Sequence, residues 1–123
     1  MALELFAAVG TVFPVEKEND FDAICATTAT IASYLTFTET IACWLEQQGV
    51  PAPQARDYIA RLFLGVTTGV VEASERSFQS LAAIHATAGG INEQFLKHLV
   101  QHGLLTRVSE ALDAVLHRIG VES

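Results

Sequence analysis

From Asp20 or Phe21 onward the apolar residues of this sequence recur three and four positions apart, and glycine or proline stands where the spacing resets. A chain patterned in this way folds as helices, each burying one apolar stripe against a neighbour. Phe21 to Gln48 reads as a long apolar helical stretch that stops at Gly49. Several β-branched hydroxyl residues between Thr27 and Thr30 compete for local backbone bonds, so a bend or break is expected there. Asn19 or Asp20 can cap its first turn, and Asp22 adds negative charge at the positive end of the helix dipole. Pro51 and Pro53 restart the chain into a second long helix from about Pro53 to Glu72, with Ile59, Leu62, Phe63, Val66 and Val70 on one face. Gly65 and Gly69 lie four apart on it, leaving room for another helix backbone to approach. The tail, Thr106 to Gly120, carries Val108, Leu112, Val115, Leu116 and Ile119 at helical spacing and is expected to end on Gly120.

The apolar content decides what these helices need. Half of the 123 residues are hydrophobic, more than a single small domain requires for its core. A membrane span needs about 20 nearly uninterrupted apolar residues. The best candidate, Ala23 to Leu45, is broken by seven threonines and serines of helical sequence and by Glu39, and acids rather than Lys or Arg stand before it. The expected outlet is therefore a partner subunit, a second copy of the chain. A formal charge of −7 excludes binding along a phosphate backbone, so nucleic acid is not an expected partner. The N-terminus lacks a basic region followed by an apolar core, and Cys25 and Cys43 fall in apolar helical sequence, which fits reduced, buried thiols in a cytoplasmic protein.

Before the helices, Leu3 to Val9 form a short helical pattern ended by Gly10, and Thr11 to Val15 has strand-like residues. One helix and one lone strand make no sheet. Residues 1–18 are accordingly expected to be the end of a sheet-containing domain, and residues 19–123 a helical domain.

Thr87-Ala88-Gly89-Gly90-Ile91-Asn92 lies between two helical segments, one with Phe78, Leu81, Ala82 and Ile84, the other with Ile91, Phe95, Leu96, Leu99 and Val100. Adjacent glycines at a helix N-terminus leave backbone N–H groups uncovered where the dipole is positive, an arrangement suited to a small anion such as a carboxylate. The same residues also suit a plain helix-to-helix turn with glycine at its C′ position. His98 and His102, four apart, sit among Gln94, Lys97 and Gln101 on what reads as a solvated face, and no metal is expected there. Neither cysteine has an adjacent base to activate it. Glu39 is read as a helix edge reaching solvent, and Glu75, taken alone, as a surface acid. No Gly-x-Gly-x-x-Gly or phosphate-loop motif occurs, so no dinucleotide site is expected on this chain.

Taken in order, Leu5-Phe6-Ala7-Ala8-Val9-Gly10, Val12, Val15-Glu16, the opening Asp22-Ala23, the helix pair broken at Gly49, Ser74-Glu75 and Thr87-Ala88-Gly89-Gly90 resemble the C-terminal half of pyrroline-5-carboxylate reductase. The similarity covers nearly the whole chain. It implies an all-α helical bundle that interleaves with a second subunit as a homodimer, preceded by the helix-strand end of a nucleotide-binding domain. It further implies reduction of a cyclic imino acid to proline by NAD(P)H in the full-length protein. The family's substrate loop, Ser-Pro-Gly-Gly-x-Thr, corresponds to Thr87, Ala88, Gly89, Gly90, Ile91 and Asn92. By that resemblance Thr87 and the amides of Gly89 to Ile91 hold the substrate carboxylate, Asn92 stands near the ring nitrogen, and Glu75 matches a glutamate near the substrate. Where the family has Gly-Ser-Gly-Pro-Ala-Tyr, this chain has Ala29-Thr30-Ile31-Ala32-Ser33-Tyr34. The chain alone is expected to bind no NAD(P)H and to be inactive without its nucleotide-binding domain; the alternative is a non-catalytic helical homodimerisation module.

Overall fold

The computed structural model describes residues 18–122, and the described residues form six α-helices, one 3-10 turn and no strand. The helices are α1 (Glu18–Thr27), α2 (Ile31–Gln47), α3 (Ala52–Glu72), α4 (Phe78–His85), α5 (Ile91–Gln101) and α6 (Leu104–Glu122). The all-α class read from the periodicity therefore holds. The helix and strand expected over residues 3–15 lie outside the described residues.

The break foreseen near Thr27 is a 3-10 turn at Thr28–Thr30 between α1 and α2. Three hydroxyls turn back onto the chain there: Thr27 donates to the carbonyl of Ile24 at 2.6 Å, Thr28 to Cys25 at 2.6 Å and Thr30 to Thr27 at 2.7 Å. Each bond reaches three residues back, as side-chain competition with helical bonding predicts. The stop at Gly49 has an equally local cause. Gly49 takes φ +102°, its N–H reaches the carbonyl of Glu46, and the N–H of Val50 reaches that of Leu45. This is a Schellman motif, which satisfies the last carbonyls of α2 and needs a residue without a Cβ at the left-handed position. Pro51 caps α3, whose first turn also contains Pro53.

By internal contacts the chain forms two compact units, one spanning Tyr34–Leu104 and the other joining the stretches up to Ser33 and from Leu105. Within the first unit, α2 and α3 are an antiparallel hairpin. Phe63 of α3 meets Tyr34 and Phe37 of α2 edge-on, each at 6.2 Å between ring centroids, inside the favourable range for aromatic pairs. Toward the connection, Thr38 and Ala42 of α2 line one groove with Ile59 and Ala60 of α3. Ala42, Ala55 and Ile59 are buried here. Along the tail, α6 runs through Gly120 to Glu122, beyond its expected end. A helical glycine costs only about 1 kcal/mol, and the Arg118–Glu122 ion pair at 3.0 Å spans it.

The two thiols are free and only half-buried, a correction to the buried placement expected of them. Cys43 donates to Glu39 at 3.2 Å. That hydrogen bond, with desolvation and the charges of Glu39 and Glu46, pushes the thiol's pKa up. Burial and the charge of Asp22 raise that of Cys25. Both are thereby made poorer nucleophiles.

Candidate functional site

The turn between α4 and α5 takes its shape from two glycines with different duties. The N–H of Gly90 donates to the carbonyl of Thr87 at 2.9 Å, closing a four-residue turn in which Gly89 has φ +76°. Positive φ at the third residue is the mark of a type II turn and favours glycine there. Gly90 has ordinary extended geometry and caps α5, but a Cβ on it would stand 2.7 Å from the Thr87 hydroxyl and 3.1 Å from its carbonyl oxygen. Gly89 is required by its dihedral angle and Gly90 by lack of space.

Glu93, at the third position of α5, reaches back to this turn. Its Oε1 accepts the N–H of Gly89 at 3.2 Å and lies 3.2 Å from Nζ of Lys97. The Gly89 hydrogen bond, then that with Lys97 and its charge, hold the carboxyl below the usual glutamate range. Two of the three amides expected to receive a ligand carboxylate, those of Gly89 and Gly90, thus have partners within the chain. Thr87, Ala88, Ile91 and Asn92 are exposed around the turn, with Ile91 at 82%. Glu75 is exposed in the turn after α3. The structure brings Thr87 to Asn92 together as one turn; no contact joins Glu75 to it. Glu93 was not among the residues singled out from sequence, although a glutamate three positions after a helix cap is a known capping signal.

Around this turn the helices leave large apolar side chains uncovered. Phe78 is 79% exposed, and Leu62, Ile84, Phe95, Leu96 and Val100 are exposed as well. Between α3 and α4 an open apolar groove of about 820 Å³ is lined by Leu62, Gly65, Val66, Gly69, Phe78 and Leu81, among others. A Cβ on Gly65 or Gly69 would meet nothing within 4 Å, so both glycines present bare backbone to the groove. His98 and His102 stack at the end of α5 with ring centroids 4.4 Å apart, and Nδ1 of His102 is bonded to the carbonyl of His98. His102 is the C-cap of α5. Among the described residues no group of three or more His, Cys, Asp or Glu is arranged to hold a metal ion. No helix among them is long and apolar enough to cross a membrane.

Residues 18–120 match the family described as pyrroline-5-carboxylate reductase dimerisation. The chain belongs to this family. It is also 28% identical over 118 residues to a pyrroline-5-carboxylate reductase of Vibrio alginolyticus, an alignment covering 95% of this chain and 43% of the relative. The chain thus spans less than half the length of that relative. No solved structure matches it. Residues 29–34 cross from the 3-10 turn into the start of α2, and Tyr34 is a ring that meets Phe63.

Proposed function

We propose that this chain is the self-associating, substrate-binding domain of a pyrroline-5-carboxylate reductase-like oxidoreductase. In the full-length protein, NAD(P)H reduces a cyclic imino acid to proline in the cytoplasm. The observation that carries the reading is the family match across the helices, supported by a double-glycine turn at the start of α5 that resembles the family's substrate loop. Thr87, Ala88, Gly89, Gly90, Ile91 and Asn92 bind the carboxylate end of the ligand, and Glu75 approaches it once the assembly is complete. A second copy of the chain covers the groove between α3 and α4, because an apolar surface of this extent is otherwise held in water.

Dinucleotides are bound at strand-to-helix turns, and the described residues contain no strand to supply one. They do not fit NAD(P)H on their own. The chain by itself therefore associates without oxidising NADPH in the presence of the imine, and steady oxidation by the purified chain overturns that part of the reading.

The substrate assignment is tested by titrating proline while following the Gly89 and Gly90 amides by NMR. Shifts confined to Thr87–Asn92 and saturating with proline support it. No shift at saturating ligand leaves the second reading, a non-catalytic homodimerisation module. One observation favours that reading: the Gly89 N–H already has a carboxylate, that of Glu93.

A further inference from the structure

We propose that His98 and His102, at the end of α5, form a two-imidazole chelate for a divalent transition-metal ion of the zinc class. The pair stands at the far end of the helix from the double-glycine turn, so the proposal is independent of the substrate-binding reading.

Spacing alone offered two imidazoles and no third ligand. The structure adds two observations. First, the rings have come together: their centroids are 4.4 Å apart and their planes are tilted by 35°. Two nitrogens bound to one zinc ion at about 2.0–2.1 Å in tetrahedral geometry stand about 3.3 Å apart. Rings at the observed separation can present that spacing after rotation about their own side-chain bonds, without moving the helix. Second, one ring is already held in the tautomer a metal needs. Nδ1 of His102 lies 2.7 Å from the carbonyl oxygen of His98. A carbonyl only accepts, so in the neutral ring Nδ1 carries the proton and Nε2 keeps its lone pair. A ring N–H given to a backbone carbonyl is the usual support of a metal-bound histidine, fixing its orientation and making the opposite nitrogen more basic. The His98 ring makes no hydrogen bond among the described residues, so it too has a nitrogen to offer.

The surroundings leave room for the rest of a coordination shell. Both histidines are exposed, so water can fill the two positions that a four-coordinate ion has left. Gln94 and Gln101, which line an open cleft with His98, add neutral oxygen acceptors. The neighbouring cation, Lys97, is paired with Glu93 at 3.2 Å. The competing account is a pair that only ends the helix, because His102 is also the C-cap of α5. The two accounts part over His98: capping uses its backbone carbonyl, whereas the chelate uses its ring.

The test titrates the full chain with zinc chloride alone and follows the imidazole signals of all four histidines by NMR. Those of His98 and His102 should shift together and saturate, while those of His85 and His117 stay in place. His98→Ala leaves the cap bond intact and should weaken zinc binding by about tenfold or more, since even an outer partner of a metal ligand is worth that much. His102→Asn, which keeps a residue suited to ending a helix, should weaken it as far. Copper(II) should bind the unmodified chain more tightly than zinc and lose as much in either variant. Equal zinc affinity in the unmodified chain and His98→Ala, with helicity intact by circular dichroism, overturns the chelate and leaves a helix cap. Shifts spread evenly over the four histidines, or none at millimolar zinc, overturn it as well. Should His102→Asn lose helicity, His98→Ala decides alone, by the same outcomes.

Discussion

Two parts of the Tyr34–Leu104 unit expose large apolar side chains, but only one of them also buries residues. In the α2–α3 hairpin, Ala42, Ala55 and Ile59 are buried, and Phe63 is held between Tyr34 and Phe37. Across α4, the glycine turn and α5, no residue is buried at all, and Phe78 and Ile91 are about four-fifths exposed. The hairpin finds its partner within the chain because a short connection capped by Gly49 returns α3 along α2. The α4–α5 segment buries no side chain, and large apolar side chains of the hairpin such as Leu62 and Val66 are exposed as well, so both leave apolar surface for another molecule to cover. The buried positions of the hairpin supply stability, whereas the exposed apolar positions supply an interface. The contrast therefore separates mutations that unfold the chain from mutations that take copies apart.

The largest expected effect lies in the hairpin. Ile59→Ala removes one of the few buried side chains and should cost about 2–5 kcal/mol in urea unfolding, whatever the protein concentration. Next comes the uncovered segment. Phe78→Glu or Ile91→Glu should change the stability of the separated chain by no more than about 0.5 kcal/mol. Self-association measured by sedimentation equilibrium should weaken roughly 10- to 100-fold, the equivalent of one large apolar side chain left in water. If Phe78→Glu instead unfolds the chain while association persists, the division between the two segments is wrong. The thermal midpoint of the unmodified chain should also rise with concentration, as for any fold stabilised by association.

Those same segments show what can be read from sequence. Helical periodicity, the hydroxyl-rich break at Thr28–Thr30, the stop at Gly49 and the start of α5 after Gly90 were all legible, because each is decided by residues within one turn of the chain. The end of α6 was not, since a single helical glycine costs too little to stop a helix. The half-exposure of Cys25 and Cys43 was equally hidden, being set by which helix faces find a neighbour. At the turn, the two glycines announced themselves, but the carboxylate on Gly89 comes from Glu93, four residues away and on the next helix. The turn's backbone could be read from its own residues; its occupancy depended on a side chain reaching back.

Gly89→Ala probes that backbone directly. At φ +76° an L residue is strained, so the substitution should cost about 1–2 kcal/mol, although nothing lies within 4 Å of the added Cβ. The loss should be the same in dilute and concentrated solution, in contrast to Phe78→Glu. A Gly89→Ala protein as stable as its parent would mean that the turn relaxes out of the left-handed region at no expense, and the reason given for a glycine at this position would fall.

The smallest effect belongs to Glu93 and is read with pH. Its carboxyl is more acidic in the folded chain than the ordinary glutamate value of 4.5, chiefly through the Gly89 hydrogen bond and then through Lys97. As pH falls from neutrality the unfolded chain takes up this proton first, so the stabilisation present above 4.5 fades as pH drops through and below that value. The parent should thus lose slightly more thermal stability between about pH 5.5 and pH 3.5, one unit either side of the ordinary value, than Glu93→Gln does. Asp57→Asn, which removes one partner of the Arg61–Asp57 ion pair at 2.9 Å on an exposed face of α3, is the comparison, since an exposed pair of this kind contributes little. If the two variants flatten the slope equally, Glu93 is one more surface ion pair, and the turn's own carboxylate has no special hold on Gly89.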